Sequence, residues 1–322
     1  MRIHKSSLLH PTSNVLGTLP VTWDVNTKPP GPDHFLAEAE YRQLFDALKD
    51  FARILLFEIH ERSAGNRDLI IRNFIARAAV TLESIMRLYD ARAYDDCWAL
   101  FRMIVDRHFH LHVIATKDEF EAFEAWTFIK QFEMNNNVWS DKTLTTEQKS
   151  GVPKPTPEQK KRYKALKANG VTWREPKAEE AAKSFGVPIL YKFGYDYASR
   201  FLHAAATDGV VEFEYLTQLG SKGDRGDQRV ILHDSALAFS ILVHEALNAS
   251  SLEWRSLIFD CVESFRKALT DGPIEYAQCL LNVANAGPEF EWARAKPQVA
   301  REAATQSRRG CRSFIRWPFF RK

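Results

Sequence analysis

Cysteine is scarce in this sequence: four in 322 residues, at positions 97, 261, 279 and 311, with no Cys-x-x-Cys pair. Such spacing excludes a disulfide-stapled scaffold and argues against thiolate zinc knuckles. Three of the four fall in apolar helical contexts, where a free thiol behaves as a small hydrophobe, so a reducing, cytoplasmic setting is expected. Long apolar runs are missing too. The best, residues 235–244, has ten, short of the roughly 18 that a membrane-spanning helix requires. The first 25 residues contain no apolar core of about seven residues, as a secretion signal would.

Several catalytic signatures are also absent. No Gly-x-Gly-x-x-Gly follows a strand. The glycines at 220, 223 and 226 lack the Lys-Ser/Thr ending of a phosphate loop, and there is neither a Gly-x-Ser-x-Gly elbow nor a His-Glu-x-x-His pair. None of the ten histidines has an acidic residue three places before it, which excludes the Glu-x-x-His pairs of a di-iron bundle. The sequence nominates no cofactor and no metal.

What is present is the composition of an ordinary globular chain, 45% hydrophobic and 26% charged. Charge is unevenly spread. Between 294 and 322 nine cations face one anion, a surplus of 8; with +3 for the whole chain, the first 293 residues carry −5. A faintly acidic body thus ends in a basic tail that interleaves Arg308, Arg309, Arg312, Arg316 and Arg321 with Phe314, Trp317, Phe319 and Phe320. Arginine among stacking rings suits single-stranded nucleic acid, and the same mixture suits an anionic membrane surface or a protein partner.

Along the chain the spacing of apolar residues is helical almost throughout. Residues 1–33, rich in Pro, Thr and Asn, read as an extended arm. Helices are expected over 35–62, 68–89, 95–115 and 120–132, then from 189 to 207, 234 to 269 and 274 to 286. Between 140 and 188 five prolines and one lysine-rich helical candidate, 158–169, describe a polar, solvated insertion. Val210–Tyr215 alternates, and 229–232 could pair with it in a small β-hairpin. The expected architecture is all-α: a bundle of six or seven core helices over 34–290, carrying the polar insertion and followed by the basic aromatic tail, 291–322.

Two constellations carry polar chemistry. On the crowded helix 95–115, Arg102 and Asp106 share a side with Trp98, Val105, Phe109 and Val113. That is either a structural i,i+4 ion pair or a guanidinium held ready for a phosphate or carboxylate. Later, Tyr195, Ser199 and His203 follow at steps of four, a ladder of phenol, hydroxyl and imidazole along one helix side. It is either a hydrogen-bonded seam between helices or part of a site in which His203 moves a proton. His108 and His112 also stand four apart, a spacing at which two imidazoles can share a metal or simply pack in a crowded helix.

The Ala99-Leu100-Phe101-Arg102-x-x-x-Asp106 segment, with the later Tyr195-x-x-x-Ser199-x-x-x-His203, resembles a widespread bacterial helical family of no assigned function. Its members carry an Arg-x-x-x-Glu helix and a Tyr/Ser/His helix; here Asp106 stands where glutamate is usual. The resemblance covers roughly 40–270 and implies a helical fold but no reaction. A distant similarity to HEPN-type ribonucleases rests on Arg-x4–6-His, met by Arg53/His60, Arg102/His108 and Arg107/His112, no more often than composition gives by chance. The functional expectation is a buried site of Arg102, Asp106, Tyr195, Ser199, His203 and His108. It would bind or cleave RNA or a nucleotide in bacterial defence or toxin biology, with the tail concentrating nucleic acid. The alternative is a non-enzymatic interaction protein in which the seam is structural and the tail recruits a protein partner. A second copy of the chain is a further candidate partner.

Overall fold

The computed structural model describes residues 35–62, 65–187, 190–203, 209–217 and 226–252, with Val262, Phe265, Arg266 and Leu269. The N-terminal arm, the 274–286 helix, Cys261, Cys279, Cys311 and the basic tail, with its candidate nucleic-acid contacts, lie outside these residues.

Four long helices make the core: α1 (Glu38–Arg62), α2 (Asn66–Asp90), α3 (Tyr94–Lys117) and α9 (Arg229–Ala249). Each of α1 and α2 turns one apolar stripe inward, Leu44, Leu48, Phe51, Leu55 and Ile59 on the first and Ile71, Ile75, Ala78, Leu82 and Ile85 on the second. The α9 helix is different. It packs against α1, α2 and α3 at once, and Ile231, Leu232, Phe239, Leu242 and Leu247 on several of its sides are buried. By length and composition α9 could cross a bilayer, but most of its surface is covered by the bundle. Short connections join the first helices. The α3 helix ends at Asp118, whose left-handed backbone (φ 53°) suits the small polar side chain.

Among the described residues the fold is all-α with no strand, as the apolar spacing implies. The expected hairpin does not form. Val210–Thr217 is the short helix α8, and residues 229–232 are the first turn of α9, where Ile231 and Leu232 are buried. Asp227 accepts the Arg229 backbone N–H at 3.0 Å and starts the helix there. Burial of two large apolar side chains outweighs a local alternation that has no partner strand.

The expected continuous helix over 234–269 also ends early. At Ser250 the backbone becomes extended, and Ser251 gives both its N–H (3.2 Å) and its hydroxyl to the buried carboxylate of Asp68 in the first turn of α2. Beyond this break, Val262, Phe265 and Leu269 are buried, with Phe265 edge-on to Phe51 at 5.6 Å.

The 140–188 segment is more structured than a solvated excursion. Following α4 (Phe120–Ser140), it holds α5 (Thr146–Lys149), α6 (Pro157–Asn169) and α7 (Ala178–Phe185). Thr145 with Gln148 and Thr156 with Gln159 form reciprocal capping boxes that start α5 and α6. Tyr163 of α6 stacks on Phe132 of α4 at 4.4 Å. Trp173, in the following loop, is almost fully buried against Trp126 (4.5 Å) and Phe123 (4.9 Å). Together with Ala181 and Ala182 of α7, this indole carries the polar segment into the core.

Candidate functional site: the α3 and π-helix junction

Residues Leu190–Tyr197 wind as a π-helix rather than the α-helix expected from 189. This segment lies against α3. Trp98 meets Tyr197 edge-on at 5.1 Å and stacks on Phe201 at 6.4 Å, and Phe109 packs beside Tyr195 at 6.2 Å. The apolar contacts place Tyr195 over Arg102. The guanidinium donates from Nη2 to the Tyr195 hydroxyl at 2.8 Å, and its central carbon lies 4.3 Å from the ring centroid.

Arg102 is held from two sides yet incompletely satisfied. Its side chain is only 14% exposed, and its Nε lies 3.7 Å from Asp106 Oδ2, beyond hydrogen-bond reach. That Nε is buried without a hydrogen-bond partner among the described residues. Asp106 is the more open member, 39% exposed. Burial raises its carboxyl above the usual carboxylate range, against the opposing pull of Arg102 and with a further push from Glu175. The site is therefore a fixed guanidinium beside a carboxylate that ionises with some reluctance.

The other expected members fare differently. The Ser199 hydroxyl is donated to the Tyr195 carbonyl one turn back in its own segment, so it is committed to the backbone. His203 stands exposed at the bend that follows, with no hydrogen bond or ring contact to the other expected members among the described residues. His108 is sealed at 1% exposure, with Phe185 of α7 edge-on at 4.4 Å. Both its ring nitrogens lack a hydrogen-bond partner among the described residues, and burial drives its pKa down to about 4.

A residue not nominated from the sequence completes a second polar group. Glu245 of α9 meets His112 Nδ1 at 3.2 Å, both side chains about one-tenth exposed. Burial would raise the Glu245 carboxyl, but the His112 hydrogen bond and the surrounding imidazoles of His108, His112 and His244 hold it below its ordinary value. The signal was available: a lone acid inside the apolar run 241–247. Glu245 supplies the partner from another helix that a His108/His112 metal pair would need. Even so, among the described residues no group of three His, Cys, Asp or Glu side chains is arranged to hold a metal ion. Cys97, the described cysteine, is buried and free; burial pushes its thiol up to about 12, which makes it inert as a nucleophile.

Residues 68–212 match DUF5677, a family of unknown function. The match agrees with the expected resemblance to a helical family of no assigned function, over a shorter span than 40–270. It begins in the first turn of α2, ends within α8, and so contains α3, the insertion and the π-helix, hence both sides of the Arg102–Tyr195 contact. Helices α1 and α9, which close the core, lie outside it. No curated protein and no solved structure matches the chain.

Proposed function

We propose that this protein binds a phosphate-bearing ligand, RNA or a nucleotide, at the Arg102–Tyr195 junction. The observation that carries this reading is the state of Arg102: a guanidinium already oriented by a phenol, with a buried Nε that has no hydrogen-bond partner among the described residues. A planar fork fixed in advance loses little side-chain freedom on binding, and phosphate oxygens match its geometry. Asp106 would repel an anion when charged; burial raises its carboxyl above the usual carboxylate range. The basic tail adds a sequence-independent attraction for polyanions.

Binding is better supported than cleavage. Ser199 is committed to a backbone carbonyl and His108 is sealed, so proton transfer would fall to His203, the exposed histidine of the expected set. The test uses the purified full chain with a fluorescent single-stranded RNA 12-mer and, separately, adenosine monophosphate, at low salt. Arg102→Ala is expected to weaken binding about 10- to 100-fold, as for loss of a charged hydrogen bond, with the helical circular-dichroism signal retained. Unchanged affinity in a folded Arg102→Ala variant overturns the reading.

A second reading, an interaction protein, is favoured by large apolar side chains left open on the π-helix and α8: Phe193 at 58%, Phe213 at 57% and Leu216 at 77% exposure. Its first test is self-association. Sedimentation should show a particle heavier than one chain that becomes monomeric in Phe213→Ser/Leu216→Ser. A strictly monomeric parent removes a second copy as the partner.

A further inference from the structure

Gly194 is buried between the π-helix and α3. A Cβ built on it would lie 3.2 Å from Val105 Cγ2 and 3.1 Å from Leu190 Cδ1. The Leu190 atom is the end of a flexible chain and can swing aside. Val105 cannot do so as easily: it is β-branched, on a core helix, and fully buried. The glycine is needed here for close approach, since its backbone torsion is not among the left-handed ones. The next residue is Tyr195.

We propose that Gly194 is a positioning residue: its missing side chain lets the π-turn seat on Val105, and that seating sets where the Tyr195 hydroxyl meets Arg102. A methyl group at 194 must move the turn or Val105 by a few tenths of an ångström. The Arg102–Tyr195 bond, 2.8 Å now, sits at the close end of the useful range, which runs to about 3.2 Å. An outward shift of that size carries it toward the limit. The width of a π-turn, one residue more than an α-turn, brings Gly194 and Tyr195 to α3 together. The positioning role is independent of any ligand; only its consequence for binding rests on the function proposed above.

The experiment is a double-mutant cycle read by thermal melting. Arg102→Ala, Tyr195→Phe and their combination are measured in three backgrounds: the parent, Gly194→Ala, and Gly194→Ala/Val105→Ala, which reopens the space. The parent is expected to show a non-additivity of about 2–4 °C, as a coupling near 1 kcal/mol gives in a domain of roughly 150–250 residues. Gly194→Ala lowers it to less than half and the double background restores it. A purely structural glycine would lower every melting temperature and leave the coupling untouched; that result, or failure of Val105→Ala to restore it, overturns the proposal. If Gly194→Ala does not fold, Gly194→Ala/Val105→Ala against Val105→Ala alone decides, equal coupling in the two supporting the proposal and absent coupling in the former overturning it. Adenosine monophosphate affinity is measured on the same proteins. Affinity that stays constant while the coupling falls refutes the binding-site reading and leaves the role of Gly194 standing.

Discussion

Arg102 and Tyr195, 93 positions apart, meet through a 2.8 Å hydrogen bond and a cation–ring contact at 4.3 Å. The pair ties the third turn of α3 to the π-helix at the point where the neighbouring carboxylate, Asp106, falls short of hydrogen-bond reach. Tyr195→Phe keeps the ring and removes the hydroxyl. It is expected to lower stability by about 0.5–1.5 kcal/mol, visible as a reduced urea midpoint with unchanged slope. Arg102→Lys keeps the charge but loses the fork and is expected to bind RNA nearly as poorly as Arg102→Ala. A lysine variant with parental affinity would show that charge alone matters there.

His108 and His112, one turn apart on α3, are expected to respond in opposite directions to the same substitution. His108→Phe removes two unpartnered nitrogens and should be neutral or stabilising at pH 7.5, because unmade hydrogen bonds are the costly ones. His112→Phe strands the buried Glu245 carboxylate and is expected to cost about 3–5 kcal/mol. Chemical denaturation at one pH checks both. A large loss in His108→Phe would mean that the imidazole has a use its surroundings do not reveal.

Stability should depend on acid in a defined window. Burial lowers the pKa of His108 from 6.5 to about 4, and that of His233 likewise to about 4. The unfolded chain therefore takes up protons between these values that the folded chain refuses. The contribution of these two groups is complete above pH 6.5, falls as pH drops toward 4, and draws no further loss below that. The buried Asp234 carboxyl, pushed up to about 7, opposes it by regaining stability as pH falls through 7 toward 4. Each histidine is worth on the order of 3 kcal/mol at the acid end. His108→Phe is expected to remove about half of the acid loss that the two histidines cause. The same slope in parent and variant would dismiss His108 as a source.

Asp68 holds the chain where it leaves α9. Asp68→Ala removes the acceptor for the Ser251 N–H and hydroxyl and a negative charge from the first turn of α2. The expected cost is about 2–3 kcal/mol by urea unfolding. Asp68→Asn should recover part of it, since one acceptor oxygen remains.

Trp173→Ala is expected to cost about 3–5 kcal/mol, the range for emptying a buried aromatic site. Trp173→Phe should be far milder, because the indole Nε1 is buried without a partner and only packing is changed. If alanine at 173 melts like the parent, the insertion does not contribute to the core as its burial implies.

Much of this molecule was legible because it is local. Helical stripes on α1 and α2 follow from apolar spacing, and the shared side of Arg102 and Asp106 follows from helix geometry on one element. Tyr195, Ser199 and His203 were harder to place, since a step of four aligns side chains only on an α-helix. The π-helix turns Tyr195 toward Arg102 and ends at Tyr197; beyond it Ser199 bonds back to its own backbone and the chain bends away with His203 in solvent. Trp173 and Glu245 show the same limit from the other side: one aromatic in a polar stretch and one acid in an apolar run gain their meaning from helices far away in sequence.

Periodicity and composition alone thus determined that the chain is helical, where most helices begin, and that Arg102 carries a charge into apolar company. Only the packed bundle decided which groups satisfy that charge, which histidines lose access to protons, and where α9 must stop. Secondary structure is set by neighbours a few residues apart, whereas burial, desolvation and hydrogen-bond partnership belong to whichever surfaces the tertiary fold presses together.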